Sequence, residues 1–346
     1  MRYLIVGMGS IGTYIGGSLC LSGEKVIFVE RQAGGEGGAL RQYQIEIKRQ
    51  VHPFRPVHVA ASMQEVFEQF DIDLVVIAVK TFDTIAVARD MQPWRDHFKA
   101  VLSLQNGVEN EDALREWLGS DRIIAGTLTS AISKKGVGQV VLEKKRGVGL
   151  AEDHPLAGQI EESLRRAGLN ARLYPDGSAM KWSKLLTNLL VNASSAILDY
   201  TPAQILADPK LFELEALQIR EALRMMEAQR LRVVDLPGTP VRMLALLMRS
   251  LPLRLSQVVA RKSLAAGRGG KMPSFHIDLH QGRGKIEVDA LNGAVVRFGR
   301  QLGIGAPVNQ FLNHTLLRLA NGDLSIDTYR HNPQKLLADL STTRSQ

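Results

Sequence analysis

Gly7, Gly9 and Gly12 stand in the hexapeptide GMGSIG, which closes the apolar run at residues 2–7 and opens the stretch TYIGGSLCLSG. No other feature of the chain limits its fold as much, because it sets a strand, a turn and a helix in direct succession. The first glycine permits the tight turn, the second lets backbone approach a pyrophosphate, and the third lets the helix pack closely. The helix N-terminus then faces the phosphates. A purely structural glycine turn would use the same residues, but strand, spacing and helix together favour a bound dinucleotide. Its expected contacts are Gly7, Met8, Gly9, Ser10, Ile11 and Gly12.

The pattern that follows is that of an open parallel sheet covered on both faces. Residues 2–7, 25–30, 72–79, 99–104 and 122–128 carry dense β-branched or apolar residues and read as strands, with helical stretches between several of them. The shorter runs GQVVLEK, RGVGLAE and NARLYP read as closing strands. Pro175, Asp176 and Gly177 form a turn, after which the apolar periodicity is helical almost to the end. The expected fold is therefore α/β: an N-terminal Rossmann-type dinucleotide-binding domain over residues 1–175, followed by an all-helical C-terminal domain over residues 176–346. GGEGG at residues 34–38 reads as a loop.

Bulk properties narrow the function classes. No apolar stretch reaches the roughly 20 residues that span a bilayer, and the N-terminus begins a strand at once, so a cytoplasmic protein without a membrane span is expected. Cys20 is the only cysteine, which excludes intramolecular disulfides and cysteine-rich metal sites. The formal charge of +8 suits dinucleotide phosphates or carboxylates as well as nucleic acid. Nucleic acid gains little support, since aromatic content is 5% and no basic-aromatic interleaving is present. The histidines read as scattered without ligand spacing, so no metal is expected. From Leu236 to Ile277 there is no acidic residue, and this basic segment reads either as a solvated amphipathic helix or as a contact surface. The long helical half would bury apolar surface in a homodimer.

Lys184, Asn188 and Asn192 recur at four-residue spacing in WSKLLTNLLVNASSAI. On one helix they would share a face and climb about 12 Å. An ammonium with two amides suits a small oxygen-rich anion. A polar stripe that meets solvent or neighbouring backbone explains the same spacing.

Residues near the second strand bear on the choice of dinucleotide. Glu30 would accept hydrogen bonds from ribose hydroxyls, as NAD requires, whereas Arg31 would pair with the 2′-phosphate of NADP. Lys80, closing the strand IDLVVIAVK, adds a second cation and tilts the balance toward NADP. Asn106 and Gly107 follow another strand in LQNG, where open α/β sheets bind ligands, although Asn-Gly is also an ordinary turn pair.

With these blocks in order, and with AVKTFDT at 78–84, EVDALNGAVVR and GIGAPVN added, the chain resembles the ketopantoate reductase family over nearly its whole length. The resemblance implies reduction of 2-dehydropantoate to pantoate with NADPH, on the route to pantothenate and coenzyme A, in a cleft between a Rossmann domain and a helical domain. It implies that Lys184 donates the proton, that Glu287 is the acid near the substrate, and that Asn106, Asn188, Asn192 and Ser274 contact substrate. Arg31 and Lys80 match positions associated with the NADP 2′-phosphate, and Asn106 and Glu287 fall in the cofactor set as well. The segment near 236–272 looks longer and more basic than the family requires. Two rival readings are a reductase of another small 2-oxo acid and a non-catalytic NADP-binding sensor.

Overall fold

The strands β1 (Arg2–Val6), β2 (Lys25–Val29), β3 (Tyr43–Ile47), β4 (Gln50–Phe54), β5 (His58–Ala60) and β6 (Ile72–Ile77) come first in a computed structural model that describes residues 1–30, 42–250, 256–258, 272–282 and 284–345. They are followed by β7 (Phe98–Ser103), β8 (Ile123–Leu128), β9 (Ala131–Gly136), β10 (Gln139–Lys144), β11 (Val148–Ala151) and β12 (Ala171–Tyr174). Eight of them make one sheet in the order β12-β11-β8-β7-β6-β1-β2-β5. Neighbours are parallel except β8 with β11. Parallel neighbours need crossovers: α1 (Ser10–Leu21) lies between β1 and β2, α3 (Thr84–Met91) between β6 and β7, α4 (Asn110–Leu118) between β7 and β8 and α5 (Ala157–Arg166) between β11 and β12, while α2 (Met63–Phe67) leads from one edge strand, β5, to β6. Both faces of the central strands are covered: Tyr3, Leu4 and Ile5 are all fully buried. That is why these strands read as continuous apolar runs.

The remaining strands form a smaller sheet in the order β4-β3-β10-β9. Helix α1 packs against strands of both sheets. Two adjacent glycines make this close fit: a Cβ on Gly16 would lie 2.4 Å from the Phe28 ring, and one on Gly17 would lie 2.6 Å from the Phe54 ring.

Strands β3, β4, β5 and β9 go beyond what the sequence suggested. β3 and β4 pair antiparallel across Lys48 and Arg49, whose φ values of 50° and 66° are both positive. Hairpin turns of that shape usually announce themselves with Asn or Gly, and a Lys-Arg turn does not. GGEGG lies outside the described residues.

The helical part comprises α6 (Gly177–Leu189), α7 (Asn192–Leu198), α8 (Pro202–Ala207), α9 (Pro209–Ala228), α10 (Val241–Ser250), α11 (Ser274–His280), α12 (Ala294–Leu302), α13 (Pro307–Asn321) and α14 (Pro333–Ser345). Residues Met1–Lys181 with Leu236–Thr239 form one compact unit, and Trp182–Asp235 with Pro240–Gln346 form the other. The division thus falls within α6 instead of at the turn before it, and residues 236–239 return to the first unit. Thr129 Oγ1 donates to the Pro237 carbonyl at 2.7 Å, which anchors that return.

In the second unit a buried polar network ties the last helices to α9. Glu221 accepts from the amides of Val308 and Asn309 at 2.9 Å each, and Asn309 Oδ1 accepts from Asn292 Nδ2 at 2.9 Å. The asparagines of EVDALNG and GIGAPVN thus serve packing. Of the basic segment 236–272, residues 251–255 and 259–271 lie outside the described residues; α10 is helical, with Met243 and Leu246 exposed. Among the described residues, no helix is long and apolar enough to cross a membrane.

Candidate active site

The glycine turn has the shape that its sequence suggests. Gly7 has φ +99°, and a Cβ there would lie 2.9 Å from the Val79 side chain. A Cβ on Gly12 would fall 1.9 Å from the Gly7 carbonyl oxygen, so the helix can begin this close to the turn only with glycine. A Cβ on Gly9, at the N-cap of α1, would meet nothing within 4 Å. One side of the turn is therefore open beside the first-turn amides, which have no acceptor within their own helix. Met8 is buried, while Ser10 and Ile11 are half-buried. A cradle of this form fits a pyrophosphate.

Two loops at the carboxyl ends of β6 and β7 are joined by side-chain bonds. Gln105 Nε2 donates to Thr84 Oγ1 at 2.7 Å and to the Val79 carbonyl at 3.2 Å. Thr81 Oγ1 and Asn110 Nδ2 both donate to the Asn106 carbonyl, at 3.2 Å and 2.6 Å. AVKTFDT and LQNG, expected separately, are thus parts of one polar assembly. Lys80 is half-buried and precedes a short 3-10 turn at Thr81–Asp83. The strand ends at Ile77, so Lys80 belongs to the loop and does not close the strand.

The assembly rests on residues that the sequence did not single out. Lys181 Nζ donates to the Gln105 carbonyl at 2.7 Å and lies 2.8 Å from Glu111 Oε1, with both side chains nearly inaccessible. Lys181 precedes Lys184 by three positions in MKWSK, and nothing local in the sequence distinguishes a buried lysine from an exposed one. Glu30 is half-buried at the end of β2, and Arg31 lies outside the described residues.

In the second unit the expected ladder is broken. Lys184 and Asn188 share α6, but that helix ends at Leu189 and Asn192 begins α7. Between them Val191 has φ 56°, a conformation that disfavours β-branched side chains by roughly 1–2 kcal/mol. Fully buried Glu215 holds the break. It accepts from the Val191 amide at 2.6 Å, from Ser194 Oγ at 2.5 Å and from Gln218 Nε2 at 2.5 Å. Single-helix spacing therefore does not explain the position of Asn192.

Instead, the break aims Asn192 at α11. Its Oδ1 accepts from the Phe275 amide at 3.1 Å, and its Nδ2 donates to Ser274 Oγ at 3.4 Å. Two expected substrate residues, far apart in sequence, are brought together. Glu287 is buried and leads through Val288 into a π-helical turn at Asp289–Gly293, an irregularity common at functional sites.

The expectation that the histidines lack ligand spacing is corrected. His276 and His280 are four apart on α11, and with Asp199 they form a group able to hold a metal ion. The HxxxH spacing in PSFHIDLHQ was the available signal.

A doubly wound sheet with a glycine turn at the end of its first strand, followed along the chain by a helical unit, defines a two-unit protein of the Rossmann type. The family model described as "Ketopantoate reductase PanE/ApbA" matches residues 3–153, and the one described as its C-terminal part matches residues 176–320. The chain belongs to the ketopantoate reductase family, a family of oxidoreductases. It is 27% identical to the 2-dehydropantoate 2-reductase of Halobacterium salinarum over 333 residues, covering 93% of this chain and 100% of that protein. It is 27% identical to the enzyme of that name from Archaeoglobus fulgidus over 325 residues, covering 93% and 97%. Among solved structures, 2-dehydropantoate 2-reductase from Geobacter metallireducens superposes with a TM-score of 0.76 at 26% identity, covering 92% of this chain and 100% of that one.

Proposed function

We propose that this chain reduces 2-dehydropantoate to pantoate with NADPH, and that Lys184 is the proton donor. The observation that carries the reading is the contact of Asn192 with Ser274, which gathers two groups expected to recognise substrate. Relatives named 2-dehydropantoate 2-reductase that align over nearly the whole chain support the same substrate.

The first unit supplies the cofactor contacts: the backbone of Gly7, Met8, Gly9, Ser10, Ile11 and Gly12 for the pyrophosphate, with Asn106 nearby in LQNG. Arg31 and Lys80 are the cations for a 2′-phosphate, and Glu30 is the group that would instead suit NAD. When bound, the dinucleotide supplies a hydride to the ketone carbon. Negative charge then develops on the carbonyl oxygen and must be stabilised. A lysine ammonium, charged at neutral pH, polarises that oxygen and gives up a proton as the alkoxide forms. Glu287 orients the ammonium or a substrate hydroxyl, and Asn188, Asn192 and Ser274 hold the carboxylate and hydroxyl groups. Cytoplasmic synthesis of pantothenate is the setting that this chemistry suits.

The test is NADPH oxidation against a panel of 2-oxo acids that includes 2-dehydropantoate. 2-Dehydropantoate is expected to give the highest kcat/KM, and Lys184→Ala to lower turnover by about 10² to 10⁴ fold with NADPH binding nearly unchanged. Preference for another 2-oxo acid would overturn the substrate, and wild-type-like turnover in the variant would overturn the role of Lys184. Tight NADPH binding without turnover of any acid would point to a sensor.

A further inference from the structure

Asp199, His276 and His280 converge at a place in the second unit that the reductase reading leaves unused. Each offers one ligand atom, and these atoms lie within 4.8 Å of one another. His276 Nε2 is 2.7 Å from Asp199 Oδ1. The two imidazoles stack with centroids 4.2 Å apart and planes 29° apart, as residues four positions apart on one helix face can. Asp199 is the C-cap of α7, with φ 52°.

The surrounding contacts orient these groups as the outer partners of a metal site do. Arg330 Nε donates to Asp199 Oδ2 at 3.1 Å, Arg330 Nη2 lies 3.1 Å from the same oxygen, and His331 Nε2 stands 3.8 Å from it. That oxygen is thereby held, and Oδ1 is left to face His276. His280 Nε2 lies 3.1 Å from the Ala196 carbonyl. Donation there fixes the ring and places the lone pair of its neutral form on Nδ1. Such second contacts on histidine and carboxylate ligands fix tautomer and direction. All three side chains are half-buried, which leaves a path for an ion and room for water in its remaining positions.

The donor set selects the class of ion. Two imidazoles and one carboxylate oxygen suit zinc, cobalt or nickel, whereas calcium and magnesium prefer oxygen alone. Tetrahedral zinc with bonds of about 2.0–2.1 Å sets its ligand atoms roughly 3.4 Å apart. An entering ion would draw the three groups together and slightly open the contact between His276 and Asp199.

We propose that Asp199, His276 and His280 bind one divalent transition-metal ion of the zinc class, and that the ion clamps α11 to the C-terminal end of α7. Asn192 already joins the N-terminal ends of these two helices through Ser274 and Phe275. The metal would fasten the other ends. This site is independent of the proposed reaction, since none of its ligands takes part in hydride or proton transfer.

The experiment uses the untagged full chain, stripped with chelator and titrated with Co²⁺. One equivalent is expected to produce a visible d–d band typical of four or five ligands, to be displaced by one equivalent of Zn²⁺, and to raise the melting temperature. Asp199→Asn and His280→Gln should each weaken Co²⁺ binding by about ten-fold or more. Circular dichroism checks the fold of both, and His280→Gln carries the test if Asp199→Asn does not fold. Absence of a stoichiometric band in the wild type, or unchanged affinity in a folded His280→Gln variant, would overturn the proposal whatever the reductase assay gives.

Discussion

Lys181 Nζ lies 2.8 Å from the Glu111 carboxylate where both side chains are nearly inaccessible to solvent, and the same ammonium holds the Gln105 carbonyl. Removing one partner of such a pair strands a buried charge, at a cost of about 3–5 kcal/mol. Lys181→Ala should therefore lower unfolding free energy by that amount in denaturant titration. Its effect should extend to NADPH affinity, because Gln105 and Asn106 are adjacent. A double variant, Lys181→Met with Glu111→Leu, should recover most of the stability. A Lys181→Ala protein as stable as the wild type would mean that water reaches the pair.

Much of the first unit was legible because its signals are local. GMGSIG names its own turn, and continuous apolar runs mark strands buried on both faces. The Lys48-Arg49 hairpin was not legible, since positive φ at two long basic residues leaves no trace in composition. The ladder departs from its sequence spacing for a related reason. Four-residue spacing presumes an unbroken helix, and the break at Val191 depends on Glu215, a partner far along the chain. Likewise, the pairing of Asn192 with Ser274 is a tertiary fact, readable only through the family resemblance.

Asn192 gives a prediction that separates positioning from contact. Asn192→Ala leaves the buried Phe275 amide without its acceptor, a loss of about 1–3 kcal/mol. Ser274 should become less ordered, so KM for the 2-oxo acid is expected to rise while NADPH affinity stays near wild type. Steady-state kinetics with each substrate varied in turn check this. Equal losses for acid and cofactor would contradict a role confined to the substrate side.

For the dinucleotide, charge alone makes the prediction. A 2′-phosphate beside a guanidinium gains a charge-assisted contact that a ribose hydroxyl cannot match. Arg31→Ala should thus weaken NADPH far more than NADH, as measured by fluorescence titration of both. Equal losses would mean that Glu30 governs the pocket and that NAD is the partner.

Glu221 offers a pH test whose sign is fixed by burial. Burial pushes its carboxyl above the ordinary value of 4.5, against the opposing pull of the Asn309 and Val308 amides. Between 4.5 and the raised value, the folded chain holds a proton that the unfolded chain has released. The contribution is full below 4.5 and is lost as pH rises through the folded value, with a slope of at most about 1.4 kcal/mol per pH unit. Carboxylates held low by partners, such as Asp73 with Lys99, act in the opposite direction and at lower pH. Comparison with Glu221→Gln removes their contribution, because that variant changes only the group in question. The wild type should therefore compare best with Glu221→Gln near pH 4 and lose ground as pH rises through the raised folded value, beyond which the difference levels off. Denaturant titrations of both proteins at several pH values measure the difference, and a gap that widens in favour of the wild type with rising pH would show that the folded carboxyl titrates below 4.5.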